Sequence, residues 1–385
     1  MRHSYKIKNN ELLYVIALFI YTFAVDVISN SYLFGQNDSR FEVSNYFQYL
    51  AAALFFVSFC WNKNLKIRAI MLRVILGVIA LVIAYNMHAI SFGVSVLAII
   101  AALNIDFRKI VKWCVGINTF DLVVVILPAI MGLIPDETRL HNGVVAHYLG
   151  FAYYSNVPYR VLMITIMGYW LIKSSRAENI FLLISIPIQY IIYKVCTVRL
   201  VLYIYIIFII IAILIRAIKS EKKHNVLKLI AVIMYPCATL ATVYASLQSD
   251  KSFFFAALDS AMNARLGFNR IGFQRYGMKL FGQRIITSQE YWDANYINHY
   301  FFIDSGYAYM LISYGLIFSI ILIGGYSYLS WYTIRYKDYK MFVWCITCCI
   351  FSVINNVLFS VSLNPLPVLA VNLFVNANVM KKKRK

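Results

Sequence analysis

Apolar runs of about 17–20 residues recur along this 385-residue chain, and that is the length a helix needs to cross a hydrocarbon core. Lipid offers the backbone no hydrogen-bonding partner, so runs of this kind fold as helices. Composition points the same way: 62% of residues are apolar and 14% charged, against roughly a quarter charged in ordinary globular proteins. The expected fold is all-α, one polytopic integral membrane domain over residues 1–385. The length rule gives about 12 transmembrane helices. They fall at 12–29, 44–61, 70–86, 88–104, 113–133, 159–172, 179–193, 199–215, 227–246, 305–328, 341–361 and 364–380. Arg2, Lys6 and Lys8 precede the first run with no small-residue cleavage site after it, which reads as a retained signal anchor.

The formal net charge is +20, and its distribution argues against nucleic acid as a partner. With the N-terminus in the cytoplasm, inner segments collect about 25 of the 36 Lys and Arg residues, as the positive-inside rule requires. Lys63, Lys66, Arg68, Arg108, Lys109, Lys112, Arg216, Lys219, Lys222, Lys223 and the 381–385 tail belong to that inner set. Both termini are therefore expected in the cytoplasm, the protein being multi-pass in the cytoplasmic membrane. The seven cysteines include the close set Cys345, Cys348 and Cys349. No Cys/His pair stands elsewhere at structural-zinc spacing, so these read as small packing residues and no metal is expected. No GxGxxG or P-loop pattern suggests a nucleotide site.

Two long outer loops remain, a smaller one at 134–158 and a large one at 247–304 between the ninth and tenth helices. Loops of this length are usually functional or disordered, and the large one is rich in Phe, Tyr, Arg and Gly, a composition unlike disordered chain. Within it, glycine recurs at Gly267, Gly272, Gly277 and Gly282 and arginine at Arg265, Arg270 and Arg275, each stepping by five. A five-residue step turns about 140° on a helix, so these arginines fan around it. Each interior glycine costs about 1 kcal/mol relative to alanine, which favours short helical pieces broken at glycines. Such pieces would lie on the bilayer with Leu266, Phe268, Ile271 and Phe273 dipping in. Two readings of the cations follow: an interfacial segment touching lipid phosphates, or a pyrophosphate cradle in which Arg supplies bidentate forks and glycine admits backbone N–H groups.

Downstream, Asp304, Tyr307, Leu311 and Tyr314 are spaced to share one face of the tenth helix, directed toward the outer surface. The Arg265-Leu266 step, the run into Leu280-Phe281-Gly282-Gln283, then Ile303-Asp304-Ser305-Gly306-Tyr307 and Tyr314-Gly315-Leu316-Ile317 form the motif-level pattern. Together they resemble the Wzy-type polysaccharide polymerases of the O-antigen polymerase and ligase superfamily, over about 50 residues at motif level. A looser echo lies at Thr197-Val198-Arg199, where such proteins often carry a Ser-Arg-Thr-like turn. Cys196 and Val198 depart from that pattern.

The resemblance implies transfer of a growing glycan from undecaprenyl pyrophosphate onto the next lipid-linked repeat unit, outside the cytoplasmic membrane. It implies neither nucleotide sugar, metal nor other cofactor. Its partners would be undecaprenyl-pyrophosphate-linked oligosaccharides and membrane lipids, with a flippase and a chain-length regulator as protein neighbours. The leaving pyrophosphate needs a positive field; Arg265 is the first candidate, with Arg270, Arg275, Arg199 and Gly282 beside it.

For the acceptor hydroxyl, the candidate bases are Asp304, His299, Glu290, Asp293, His141 and His147. Asp304 has a rival reading as a helix N-cap, and His299 as an interfacial histidine. Tyr307, Tyr314 and His147 are glycan-contact candidates, with Tyr291, Trp292 and Tyr300 as further stacking groups. Asp121 falls inside the fifth expected helix, and intramembrane acids are functional by default; Asp26 reads as interfacial and structural. The charges otherwise avoid the middle of the membrane and the two halves do not repeat. Both points weigh against the rival class, a lipid-oligosaccharide flippase or other secondary transporter. A glycan ligase shares the donor, and sequence alone does not separate it from a polymerase.

Overall fold

The structure, a computed structural model, describes residues 9–35, 39–61, 67–141, 143–216, 221–287 and 301–375. Eight of its helices are long and apolar enough to cross a membrane, so the chain is a multi-pass helical membrane protein. They are α1 (Asn9–Phe23) with the π turn Ala24–Ile28 that continues it, α2 (Ser39–Cys60), α3 (Ile67–Met87) and α5 (Phe107–Ile130). The others are α7 (Ser175–Cys196), α8 (Arg199–Arg216), α9 (Glu221–Leu247) and α13 (Leu316–Arg335). Their apolar side chains are turned outward in stretches such as Ile70, Met71, Val74, Ile75, Val78 and Leu81. In water such a surface would invite aggregation; against lipid it is matched.

Three of the twelve expected spans are shorter than the crossing length. They are α4 (Ile90–Ala101), α6 (Asn156–Leu171) and α14 (Tyr339–Phe351), while α15 (Leu366–Val375) runs to the last of the described residues. The run expected at 341–361 stops at Phe351 because residues 352–355 turn on themselves, with Ser352 Oγ donating to the Cys348 carbonyl. The tenth expected helix, 305–328, is not continuous. A short helix α12 (Gly306–Tyr309) and a π turn (Met310–Tyr314) end at Gly315, where φ is +86°, and α13 starts afresh.

The chain forms two compact units. Among the described residues, unit 1 takes in those up to 74, 90–210 and from 361 on. There α1 packs on α2 and α5, and α6 on α5 and α7. Tyr14, Ala17 and Leu18 are buried, and the Tyr21 hydroxyl lies 2.7 Å from Ser95 Oγ. The loop 134–158 departs from the all-α expectation by forming an antiparallel hairpin, β1 (Thr138–His141) with β2 (Val144–His147). It is tied to the end of the first span, where Tyr32 N–H donates to the Gly150 carbonyl and Ala152 N–H to that of Asn30, both at 2.9 Å.

Unit 1 also encloses charge. Asp26 is 4% exposed and paired with Arg160 at 2.7 Å, so its carboxylate faces protein and not water. Asp121 is fully buried as well. Arg160 sits in an apolar helix, where only an acidic partner makes its burial tolerable.

Unit 2 takes in residues 75–89 and 211–360. Here α13 packs on α9 and α14, with Tyr235 donating to the Cys345 carbonyl and Tyr326 to that of Leu358, both at 2.7 Å. Cys345, Cys348 and Cys349 are buried free thiols in α14. The described part of the large loop carries α10 (Phe253–Ala261) and α11 (Arg265–Tyr276). Gly267 and Gly272 do not break α11. Its apolar side meets protein: Leu266 is buried, and Phe268, Ile271 and Phe273, partly buried, pack on a cluster of Ile285, Phe301, Ile303, Ala308 and Ile312.

Candidate functional site

The start of α11 is built without a capping side chain of its own. Asn263 and Ala264 are both left-handed, at φ +57° and +62°, and reverse the chain after α10. Asp259 then reaches across and accepts from the Leu266 N–H at 2.7 Å and the Gly267 N–H at 3.0 Å. These are helix-terminal donors that would otherwise be orphaned. A Cβ on Gly267 would stand 3.0 Å from Asp259 Oδ2, so glycine here makes room for the cap.

That turn fixes Arg265 as the first residue of α11. Its Nε lies 3.1 Å from Asp304 Oδ2, and its Nη1 donates to the Ile354 carbonyl. One guanidinium thus joins α11, the entry to α12 and the turn after α14. Asp304 is not the cap of α12; Ser305 is, its Oγ accepting from the Ala308 N–H at 3.5 Å. The Arg265 side chain is 13% exposed and that of Asp304 49%, so the pair opens to the surface on the carboxylate side. Gly306 allows this fit, since a Cβ there would meet the Asn355 carbonyl oxygen at 2.8 Å.

The other two arginines of the series have different neighbours, as their fanned spacing requires. Arg270 is ion-paired with Asp250, and the Arg275 guanidinium lies 5.1 Å from the Phe301 ring centre. Among these contacts, only those of Arg265 and Asp304 join two of the sequence candidates.

The remaining glycines also answer to the fold. Gly272 faces Ile303, where a Cβ would meet Cδ1 at 2.7 Å, and Gly277 ends α11 at φ +65° with open space beside it. Gly282 is covered, not presented: a Cβ there would stand 2.3 Å from the Ser313 carbonyl oxygen, and one on Gly315 would stand 2.2 Å from Gly282 N. The two left-handed glycines let two backbones touch. Gln283 N–H donates to Ser313 at 2.9 Å, Leu316 N–H to Lys279 at 2.9 Å, and Ile317 N–H to Leu280 at 3.2 Å. The two sequence blocks that carry the resemblance are therefore hydrogen-bonded to each other. The break at Gly315 is sustained because residues 279–280 accept from the first donors of α13.

Tyr307 is fully buried, its hydroxyl donating to the Cys349 carbonyl at 2.9 Å. Tyr314 is 6% exposed, accepts from Asn356 Nδ2 at 3.3 Å and packs edge-on against Phe318 and Phe359. Both rings lie inside unit 2 and not on an outer face. His299, Glu290, Asp293, Tyr291, Trp292 and Tyr300 lie outside the described residues.

In unit 1, His147 Nδ1 is 2.7 Å from Asp136 Oδ2, and Asp136 Oδ1 accepts from the Leu149 N–H at 2.7 Å. A carboxylate held this way fixes the ring of the histidine it faces. The hairpin packs on α7, and Asp136 is within electrostatic reach of Cys196, the last residue of α7. One residue on, Thr197 adopts φ +57°, an uncommon conformation for a β-branched residue. The turn it makes places Arg199 first in α8, exposed. Nearby, burial and then the hydrogen bond to Glu137 raise the Tyr32 phenol above its ordinary value.

Asp136, Asp259, Ile354 and Arg160 escaped sequence reading. Arg160 alone carried a signal: a cation within an apolar helix calls for an acid, and Asp26 and Asp121 were on the page. Comparison with protein-family models, curated proteins and solved structures gives no match for this chain.

Proposed function

We propose that this protein is an oligosaccharide repeat-unit polymerase acting at the outer face of the cytoplasmic membrane. The observation that carries the reading is the Arg265–Asp304 pair, whose carboxylate side is open and whose two residues come from the two blocks of the resemblance. Phosphate and carboxylate present the same forked acceptor geometry to a guanidinium. A lipid pyrophosphate can therefore take the place of Asp304 on Arg265 and release the carboxylate as a base. The acceptor hydroxyl oxygen then bonds to the anomeric carbon of the donor glycan, and the bond from that carbon to pyrophosphate breaks. The hydroxyl proton passes to Asp304, and the charge gathering on the leaving lipid pyrophosphate is met by Arg265. The test is elongation of a purified lipid-linked repeat unit by the purified protein, read as a ladder of products. No elongation with the cognate repeat unit would overturn the reading.

A second reading, a lipid-oligosaccharide flippase or secondary transporter, draws on the buried Asp26, Arg160 and Asp121 of unit 1, since transporters place charges within their spans. Transfer of the lipid-linked unit across a vesicle bilayer without elongation would favour it.

A further inference from the structure

The buried charges around Arg160 do not balance. Arg160, on α6, gives its Nη2 to Asp26 Oδ1 at 2.7 Å and its Nη1 to Asn118 Oδ1 at 3.4 Å. Asn118 is itself anchored, donating to the carbonyls of Cys114 and Ser362. Asp121, one turn along α5, is fully buried and within electrostatic reach of both Asp26 and Arg160. Neither of its carboxylate oxygens has a hydrogen-bond partner among the described residues, and Asp26 Oδ2 and Arg160 Nε are likewise buried without one. Two acids thus share one guanidinium.

The elements packed on α5 here are α1, the π turn and α6. Their groups facing the cluster are the Tyr21 hydroxyl, in reach of Asp26, then Asp26 itself and Arg160. The next charged pair on these helices, Lys109 with Glu11 at 2.7 Å, is 12 residues back along α5, about 18 Å away. It is already neutral as a pair. A buried, unpaired carboxylate neutralises itself before it tolerates full desolvation.

We propose that Asp121 is a proton-binding site, loaded in the resting protein. With the proton in place the cluster sums to zero. A metal cation is a poorer occupant, because the unpartnered oxygens stand beside the positive Arg160. Loss of the proton leaves Asp26 and Asp121 competing for Arg160, so proton occupancy decides whether the π turn after α1 or α5 holds α6. The inference stands whichever proposed function holds, since it rests on unit 1 alone.

The test is infrared spectroscopy of the full-length protein in lipid nanodiscs at about pH 7, where an ordinary carboxyl is ionised. The carbonyl stretch of a protonated carboxylic acid, shifted in heavy water, is expected in the wild type and lost in Asp121→Asn. It is also expected to be lost in Asp26→Asn, because Asp121 then ionises against Arg160. A wild type without the band, or Asp121→Asn with it, overturns the proposal. So does binding of radioactive sodium that disappears in Asp121→Asn. Should that variant fail to fold, isotope labelling of aspartate in the wild type and a pH series still give the answer.

Discussion

Arg160 and Arg265 each meet one aspartate at hydrogen-bonding distance, 2.7 Å and 3.1 Å, yet they sit in opposite environments. Both partners of the first pair are buried, while Asp304 in the second is half exposed. Burial makes a pair expensive to open, because each charge left alone has lost its water. At a surface, water replaces whichever partner leaves, and the pair is worth little. The same two residue types therefore make a pair closed to water in unit 1 and one open to water on its carboxylate side in unit 2. The proposed reaction asks only the second to trade a carboxylate for a phosphate.

The largest effect that would break this contrast is on stability in unit 1. Arg160→Leu strands the acids it serves and should lower unfolding stability by about 3–5 kcal/mol, visible as a fall in the thermal midpoint in detergent. A change within about 1 kcal/mol would place Arg160 among surface charges.

The backbone crossing in unit 2 comes next. Gly282→Ala and Gly315→Ala force a Cβ into backbone atoms at 2.3 Å and 2.2 Å and should each cost about 2–4 kcal/mol, strain and clash together. Gly277→Ala shares the positive φ but meets open space, so the backbone strain alone, about 1–2 kcal/mol, is expected. Equal losses at all three positions would show that φ alone matters and that the crossing is not tight. The smallest effect is expected of Asp304→Asn, about 0–1 kcal/mol in stability. A fall as large as that of Arg160→Leu would make the Arg265 contact a structural joint too.

Long apolar runs made the membrane class and eight spans legible, because hydrocarbon thickness translates directly into helix length. The end of α14 at Ser352 and the break before α13 at Gly315 were not, since turns set them within runs that read as continuous spans. The evenly spaced glycines invited one common explanation. In the fold, Gly267 admits a cap, Gly272 a side chain, Gly277 a helix end and Gly282 another backbone. Asp304 and Arg265, both candidates from sequence, lie side by side. The carbonyl of Ile354 as a third member could not be foreseen, because backbone acceptors leave no mark in a residue pattern. Tyr307 and Tyr314, spaced for an outer face, are buried, and the π turn Met310–Tyr314 alters the helical register that the spacing assumes.

The most direct measurement compares wild type, Arg265→Lys and Arg265→Ala in elongation of a lipid-linked repeat unit, at equal amounts of folded protein in membranes, with product length read on gels. Lysine keeps the charge but cannot hold two acceptors in a planar fork. Arg265→Lys is expected to lose on the order of 10-fold or more in rate, and Arg265→Ala more. Full activity of the lysine variant with near-full activity of the alanine variant would contradict the account and leave Arg265 as a tie between three segments of unit 2.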